Sequence, residues 1–270
     1  MPLLHFSGIG LAVGARSDTG MRRAGNEDSF TAAGPAFVVA DGMGGYEHGD
    51  RASAAVVGAF EDRLRDAPLA SFDAIQDALL DADDRVAVVS AGTSRGAGST
   101  ATGIALVAHE RTPYWLVFNV GDSRVYRLSG GELRQVTKDH SLGRELVDAG
   151  QLDPADLPTF KDRNVITRAI GAMDSLADSL LVPVQVGDRF LLCSDGLHGE
   201  VPDAQLTTAL TGTDSVETIA AGLVDAANAA GGRDNITVVV VEVTSVDVGE
   251  DWERAVDATT DDDHDDTQEV

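Results

Sequence analysis

The stretch FVVADGMGGYEHGDRAS, from Phe37 to Ser53, joins an apolar run to an aspartate and a cluster of glycines. Its first four residues predict a buried strand, because aromatic and β-branched side chains suit a pleated surface and the glycines that follow end it. Asp41 then stands at the mouth of that strand. A single Asp-Gly pair at a strand end is explained by an ordinary turn. A functional role for Asp41 is indicated only if the same arrangement recurs elsewhere in the chain.

Three further aspartates stand at the ends of predicted strands. Asp122 follows VFNVG in LVFNVGDSRVY, and Asp195 follows LLCS in RFLLCSDGLHG. Asp234 directly precedes the Ile/Thr/Val run of GGRDNITVVVVEV. Four carboxylates at strand ends favour a shared chemical site over four unrelated turns.

The order of predicted elements indicates the fold class. RASAAVVGAFEDRLRDA and SFDAIQDALLDADDRVAVVS predict two amphipathic helices, and the next three apolar segments predict an antiparallel meander with a hairpin turn at Gly130-Gly131. A short helix in LGRELVDAG, a surface flap from Gln151 to Thr167 and a helix in ETIAAGLVDAANAAGG follow. Because helices and strands come in blocks, the sequence predicts an α+β fold with antiparallel sheets and helices outside them.

Composition limits the classes of function. The chain of 270 residues is 43% hydrophobic, enough for one large core, and has no apolar stretch near the roughly 20 residues of a membrane span. The N-terminal MPLLHFSGIGLAV lacks a basic region and a cleavage site, so we expect a cytoplasmic protein, and a monomer because nothing in the sequence requires a partner for folding. The net charge of -25 argues against a nucleic-acid partner, which needs clustered Lys and Arg.

The acidic charge is concentrated at the end of the chain. Residues 247–270 contain eleven acidic residues against one arginine, Arg254. This composition predicts a solvated, disordered tail, with metal binding or partner docking as the alternatives. We therefore divide the chain into a globular domain, 1–246, and a tail, 247–270.

The single cysteine, Cys193, excludes an intramolecular disulfide and a CxxC metal site. It also lacks the arginine that a tyrosine-phosphatase nucleophile needs five residues later, where Gly199 and Glu200 stand. We expect it to be a small buried apolar residue.

The acidic residues themselves suggest a metal site. Carboxylates are hard ligands, and Asp41, Asp195 and Asp234 have no His or Cys at ligand spacing, which favours Mg²⁺ or Mn²⁺ over Zn²⁺. Glu27 adds another acid, and Arg23 lies four residues before it. A guanidinium fork beside metal-bound carboxylates suits a phosphate monoester, so these residues favour a metal-dependent phosphohydrolase.

Eight motifs carry a family resemblance: RAGNEDS, DGMGG, GSTATG, VGDSRVY, VTKDHS, NVITRAIG, CSDGL and GGRDNITV. In this order they resemble the bacterial branch of the PP2C (PPM) family of metal-dependent protein serine/threonine phosphatases, over about Gly10 to Val243. The resemblance implies an antiparallel β-sandwich flanked by pairs of antiparallel helices, in four layers. It implies hydrolysis of phosphoserine and phosphothreonine on proteins by direct attack of a hydroxide that bridges two Mn²⁺ or Mg²⁺ ions. Phosphorylated proteins are the implied partners, among them a Ser/Thr kinase that the enzyme opposes, or that kinase's substrates.

The resemblance also implies roles for individual residues. Asp41 would bridge the two ions, with the Gly42 carbonyl as a further ligand. Asp195 and Asp234 would complete the shell of one ion, and Glu27 would serve the other through water.

Two more residues and one segment carry roles by the same resemblance. Arg23 would bind the phosphate. Asp122 would help to hold a third, weaker ion. The segment after His140 matches the family's mobile flap, and we expect His140 itself to be structural.

One departure from the family leaves the proton donor open. Members often have a histidine near the bridging aspartate that is proposed to protonate the leaving alkoxide, and here Met43 and Tyr46 occupy those positions. A metal-bound water is the acid we favour, and His48 is the alternative.

Three other functions fit the sequence less well. A pseudophosphatase that only binds phosphopeptides conflicts with intact Asp41, Asp195 and Asp234. A regulatory phosphatase of the sporulation or stress type shares the fold, but the flap and VTKDHS favour the general protein-phosphatase branch. A haloacid-dehalogenase phosphotransferase needs a second acid where Met43 stands.

Overall fold

The computed structural model describes residues 3–43, 48–92 and 96–261, with only the backbone described at 260 and 261. Among these residues the strands are β1 (Leu3–Phe6), β2 (Ile9–Asp18), β3 (Asp28–Thr31), β4 (Ala36–Met43), β5 (Gly98–Ser99), β6 (Ala101–His109), β7 (Thr112–Val120), β8 (Arg124–Ser129), β9 (Glu132–Gln135), β10 (Asp178–Pro183), β11 (Arg189–Cys193) and β12 (Ile236–Val246). The helices are α1 (Gly49–Leu64), α2 (Phe72–Ala91), α3 (Leu142–Asp148), α4 (Asp195–His198), α5 (Asp203–Thr211), α6 (Val216–Ala230) and α7 (Glu250–Asp261), with a 3₁₀ turn at Leu157–Thr159.

The strands form two antiparallel sheets. The first sheet has the order β1-β2-β12-β11-β8-β9, and the second has the order β10-β7-β6-β4-β3 with β5 paired to β4. Apolar side chains from both sheets meet between them, where Trp115 of the second sheet contacts Phe190 of the first with ring centroids 5.7 Å apart. The predicted antiparallel α+β sandwich is confirmed.

Helices cover both outer faces of the sandwich. Helices α1 and α2 pack on the second sheet, and Val56, Phe60 and Leu64, which recur every four residues in the first predicted amphipathic helix, are buried there. Helices α5 and α6 pack on the first sheet. The four layers follow from strands whose two faces are both apolar, because each outer face then needs a helix to exclude water.

The predicted meander is wrong at one connection. Strands β6 and β7 form a hairpin in the second sheet, and β8 and β9 form a hairpin in the first, around Gly130-Gly131 as predicted. The residues between β7 and β8 therefore cross from one sheet to the other. Gly121 makes the crossing possible with φ +107°, a backbone conformation that residues with a side chain rarely adopt. Asp122, the next residue, is thereby placed between the sheets.

The predicted disordered tail is wrong for residues 250–261, which form helix α7. Trp252, Ala255 and Val256 are buried against the apolar layer between the sheets, and the Trp252 indole donates a hydrogen bond to the Arg111 carbonyl at 2.8 Å. These apolar residues have helical spacing, but the many acidic residues around them suggested a solvated segment. Residues 262–270 lie outside the described residues.

The structure also bears on Cys193 and on membrane-spanning helices. Cys193 is fully buried, as predicted, and burial raises the pKa of its thiol to about 12. Among the described residues, no helix combines the length and the apolar character needed to cross a bilayer.

Candidate metal centre

The predicted carboxylates come from both sheets and meet at one edge of the sandwich. Asp41 lies near the end of β4 and faces Asp28 across the β3–β4 ladder. Asp195 begins helix α4 directly after β11, and Asp234 lies two residues before β12. Asp122 lies in the segment between β7 and β8 that crosses from one sheet to the other. The fold thus brings together four strand-end aspartates that are up to 193 residues apart in the sequence.

The charges of these groups affect one another. Burial raises the pKa of Asp41 well above its usual range, and the charges of Asp28, Asp195, Asp122 and Asp234 raise it further. The pKa of Asp195 is raised to about 6, first by burial and then by the charge of Asp234. Such crowding of carboxylates is unfavourable at neutral pH unless cations neutralise it.

The arrangement fits hard divalent cations. Buried carboxylate oxygens of Asp28 and Asp195, Oδ1 in each, have no hydrogen-bond donor within the described part of the chain. The charge of Asp195 raises the pKa of Asp41, and a bound cation would offset this repulsion. Within that part, no three acidic, histidine or cysteine side chains already stand in the geometry that encloses an ion. The ligand set is therefore a group of neighbouring oxygens, to be completed by backbone carbonyls and water.

Gly42 and Glu27 lie next to each other beside Asp41. The Gly42 amide donates to the Glu27 carbonyl at 3.1 Å. A Cβ on Gly42 would stand 2.0 Å from the Gly49 carbonyl, and a Cβ on Gly49 would stand 2.8 Å from the Glu27 carboxyl carbon and 2.9 Å from the Gly42 oxygen. Glycine is therefore required at both positions, because it lets the Glu27 carboxylate and the Gly42 carbonyl lie close together.

Arg23 lies at the rim of the same site. Its Nη2 donates to Asp234 Oδ2 at 2.6 Å, and half of its side chain is exposed. This hydrogen bond, followed by the charges of Asp234, Glu27 and Asp41, raises the pKa of the guanidinium. A permanent cation that is both anchored to the carboxylates and open to solvent can contact an incoming phosphate.

Asn235 was missed by the sequence reasoning and holds the loop that carries Arg23 and Glu27. Its Oδ1 accepts from the Glu27 amide at 2.8 Å, and its Nδ2 donates to the carbonyls of Thr19 and Gly25, each at 2.9 Å. Its position next to Asp234 in GGRDNITV was the available signal. One turn therefore supplies a carboxylate and clamps the loop opposite it.

The GSTATG motif fixes the backbone of Asp41. Thr100 Oγ1 accepts from the Asp41 amide at 2.9 Å, and both the Thr100 amide and Ser99 Oγ donate to the Asp41 carbonyl. Thr100 Oγ1 also contacts Ser123 Oγ at 2.8 Å, which links Asp41 to the residue after Asp122. The sequence marked this motif without indicating what it contacts.

Asp122 is buried, with 7% of its surface exposed. Burial and then the charge of Asp195 raise its pKa to about 8. His198, three residues after Asp195, donates from Nε2 to the Asp122 carbonyl at 3.0 Å. Burial lowers the pKa of His198 to about 3, so this imidazole is neutral and fixes the turn without adding charge.

Asp28 is the acidic residue that the sequence reasoning did not assign. Ser194 Oγ donates to its Oδ2 at 2.7 Å, and burial raises its pKa to about 7. Its place in the site follows from the β3–β4 register, which sets Asp28 opposite Asp41 and which the sequence does not reveal.

His140 and His48, the two histidines considered in the sequence analysis, have different surroundings. His140 is buried, accepts from the Gly121 amide at Nδ1 (3.2 Å) and faces Asp178 from Nε2 (3.2 Å), in agreement with a structural role. His48 precedes α1 with φ +83° and makes no side-chain cap. Tyr46 lies outside the described residues.

The sequence is similar to those of known protein phosphatases. A family model described as protein phosphatase 2C matches residues 22–236. Serine/threonine protein phosphatase PstP of Mycobacterium tuberculosis is 37% identical over 243 residues, which are 89% of this chain and 46% of PstP. The chain therefore spans about half the length of that relative. Serine/threonine phosphatase Stp of Listeria innocua is 33% identical over 249 residues, which cover 87% of this chain and 97% of Stp.

Solved structures show the same fold. The crystal structure of M. tuberculosis PstP superposes with a TM-score of 0.80 at 33% identity, covering 87% of this chain and 99% of that one. A structure of the PstP catalytic domain in complex with two manganese ions superposes with a TM-score of 0.78 at 33% identity, over 88% of this chain and 99% of that one. On both sequence and structure, this chain belongs to the protein phosphatase 2C family.

Proposed function

We propose that this chain hydrolyses phosphoserine and phosphothreonine on proteins with two divalent cations, Mn²⁺ or Mg²⁺. The observation that carries the proposal is the convergence of five carboxylates from both sheets on one edge of the sandwich. The reaction class is supported by the names of the relatives, and the choice of cation by the manganese ions bound to PstP.

The chemistry that two such cations supply when bound is a water of lowered pKa, a hydroxide nucleophile for direct attack on phosphorus. Asp41 would be a ligand of both ions, because the charges of all the other aspartates of the site act on its carboxyl group. Asp195 and Asp234 would complete the ligands of one ion. Glu27 and the Gly42 carbonyl would serve the other, and their closeness around Gly49 supports this assignment.

Direct hydrolysis needs no nucleophilic side chain. Cys193 is fully buried with a raised pKa, so its thiol is unsuited to attack. Arg23 binds two phosphate oxygens with its guanidinium fork, exchanging part of its contact with Asp234 for the substrate.

The leaving alkoxide must receive a proton. Met43 carries no dissociable proton, so we assign to Asp122 the role of holding the water that supplies the proton; Asp122 would also be a ligand of a third, weaker ion. The His198 hydrogen bond and the Thr100–Ser123 contact hold this turn in place. His48 is the alternative acid.

The setting of the enzyme is part of the same proposal. It opposes a Ser/Thr kinase in the cytoplasm, acts on phosphorylated proteins that include that kinase or its substrates, and works as a monomer. Comparing phosphorylated proteins in cells with and without the chain identifies these substrates.

The reaction is tested with an aryl phosphate and a phosphothreonine peptide, each with Mn²⁺, with Mg²⁺ and after EDTA treatment. We expect turnover that requires the cation and that is abolished in Asp41→Asn, Asp195→Asn and Asp234→Asn, while the exposed Asp66→Asn serves as the matched control. Circular dichroism shows whether each variant is folded, and calorimetric titration with Mn²⁺ then measures its loss of cation binding. Full activity after EDTA treatment rules out the mechanism.

A further inference from the structure

An apolar groove of about 540 Å³ lies between α2 and the segment 173–179, with β7 as its floor. Its walls include Phe72, Leu79 and Leu80 of α2, with Met173 and Leu176 opposite them. Nothing in the proposed reaction uses this groove, which lies outside the carboxylate site.

The large apolar side chains of the groove are unusually exposed. Exposure rises from 41% for Phe72 through 59% for Leu80 and 71% for Leu176 to full exposure for Met173. Phe72 is the first apolar residue of the second predicted amphipathic helix, and the structure leaves it at the surface. A contiguous apolar surface bounded by polar groups is typical of a protein-binding site.

The charges at the groove are of one sign. Asp83 and Asp174 line it, and no Lys or Arg is among the described residues that do, although Arg168 lies 3.5 Å from Asp174 outside the lining. Asp84, the next residue of α2, is exposed. An apolar surface with acidic margins is complementary to a segment that carries large apolar side chains next to Lys or Arg.

The groove is connected to the carboxylate site by direct contacts. At its near end, Asp83 Oδ1 accepts from the Gly171 amide at 2.7 Å. The preceding residue, Ile170, pairs with Ser99, and Ser99 Oγ donates to the Asp41 carbonyl at 3.1 Å. From Asp83 the groove follows α2 to Phe72, a helical length of roughly 16 Å. These contacts place the near end of the groove close to the strand that carries Asp41.

We propose that this groove docks a segment of the phosphoprotein substrate that is separate from the phosphorylated residue and carries large apolar side chains flanked by Lys or Arg. The inference rests on the proposed phosphatase activity and adds a determinant of substrate choice. Docking raises the local concentration of the phosphoresidue at the site, so it acts on KM for the docking substrate and leaves the chemical step unchanged.

The test compares two phosphothreonine peptides. One carries a Leu- and Lys-rich segment joined by Gly-Ser linkers of about 4, 8 or 16 residues, and the other has Gly and Ser in place of that segment. We expect a KM roughly tenfold lower for the docking peptide at the best linker length, with the same kcat. The double variant Leu80→Glu with Leu176→Glu removes the difference, whereas Val88→Glu keeps it, because Val88 is exposed on α2 but does not line the groove.

The outcomes separate this inference from the proposed function. Absence of cation-dependent turnover of the aryl phosphate overturns the phosphatase proposal itself. Normal aryl phosphate turnover with equal KM for both peptides overturns only the docking role. A wild-type dimer that the double variant converts to a monomer, measured by sedimentation, assigns the groove to a second copy of the chain and also overturns substrate docking.

Discussion

Replacing Trp252 by alanine should destabilise the protein strongly although it lies in a segment rich in acids. The indole is fully buried in the apolar layer between the sheets, and its N–H donates to the Arg111 carbonyl. Removal of a buried Trp side chain leaves a cavity that neighbouring residues fill only in part. The free energy of unfolding should fall by about 3–5 kcal/mol.

This loss corresponds to a drop in Tm of roughly 10 °C, since 1 kcal/mol shifts Tm by about 2–4 °C in a domain of this size. Trp252→Phe keeps most of the apolar contact and loses the hydrogen bond, so it should cost about 1–2 kcal/mol. Aryl phosphate turnover well below Tm should be unchanged, because α7 packs beside the β6–β7 turn, at the end of these strands opposite the carboxylates.

Thermal unfolding followed by circular dichroism, with chemical unfolding for the free energy, measures these values. Val248→Ala is the control, since Val248 is 51% exposed and its loss should change stability by less than about 0.5 kcal/mol. If Trp252→Ala had the same Tm and free energy of unfolding as the Val248→Ala control, the packing of α7 would be refuted. The original prediction of a disordered tail would then hold for these residues.

The other predictions concern the site. Asp122→Ala should bind the two core cations but lose most activity on phosphothreonine peptides and less on an aryl phosphate, whose phenolate leaves without a proton; equal losses would contradict proton delivery. Arg23→Ala should raise KM about tenfold with little change in kcat, and an unchanged KM would mean that phosphate is bound elsewhere. In the metal-free protein, the pKa of Asp28 is raised to about 7 from 3.8. The folded state therefore keeps a proton that the unfolded state releases between these values, so Tm should fall as pH rises from about 4 to 7, and Mn²⁺ should reduce this fall. Asp28→Asn should show a smaller fall, and an equal fall in both proteins would contradict the raised pKa of this carboxyl group.

Much of the site could be predicted because its residues sit at positions that local patterns reveal. A strand can be recognised from a few apolar residues, and the position at which it ends follows from the glycines after it. Asp41 and Asp195 were therefore found as a recurring arrangement before any contact between them was known. Asp28 was not found, because its place in the site depends on its register against β4, which involves a second strand.

The same division applies to the acidic end of the chain. The apolar residues of α7 have helical spacing in the sequence, yet composition predicted disorder. Stability of this helix comes from the layer between the sheets that receives Trp252, and a short acidic helix alone in water would be marginal.

By itself, the sequence determined most of the helices and strands before residue 247, the antiparallel block architecture and the carboxylates at strand ends, because these depend on periodicity and residue chemistry over a few neighbouring positions. Only the tertiary structure decided that the chain crosses between sheets at Gly121, so that Asp122 joins Asp195, and that Asn235 clamps the loop of Glu27. It also decided that Phe72 remains at the surface beside Leu176. These relations join residues that are distant in the chain, and their energies arise from packing and electrostatics that exist only after the two sheets have come together.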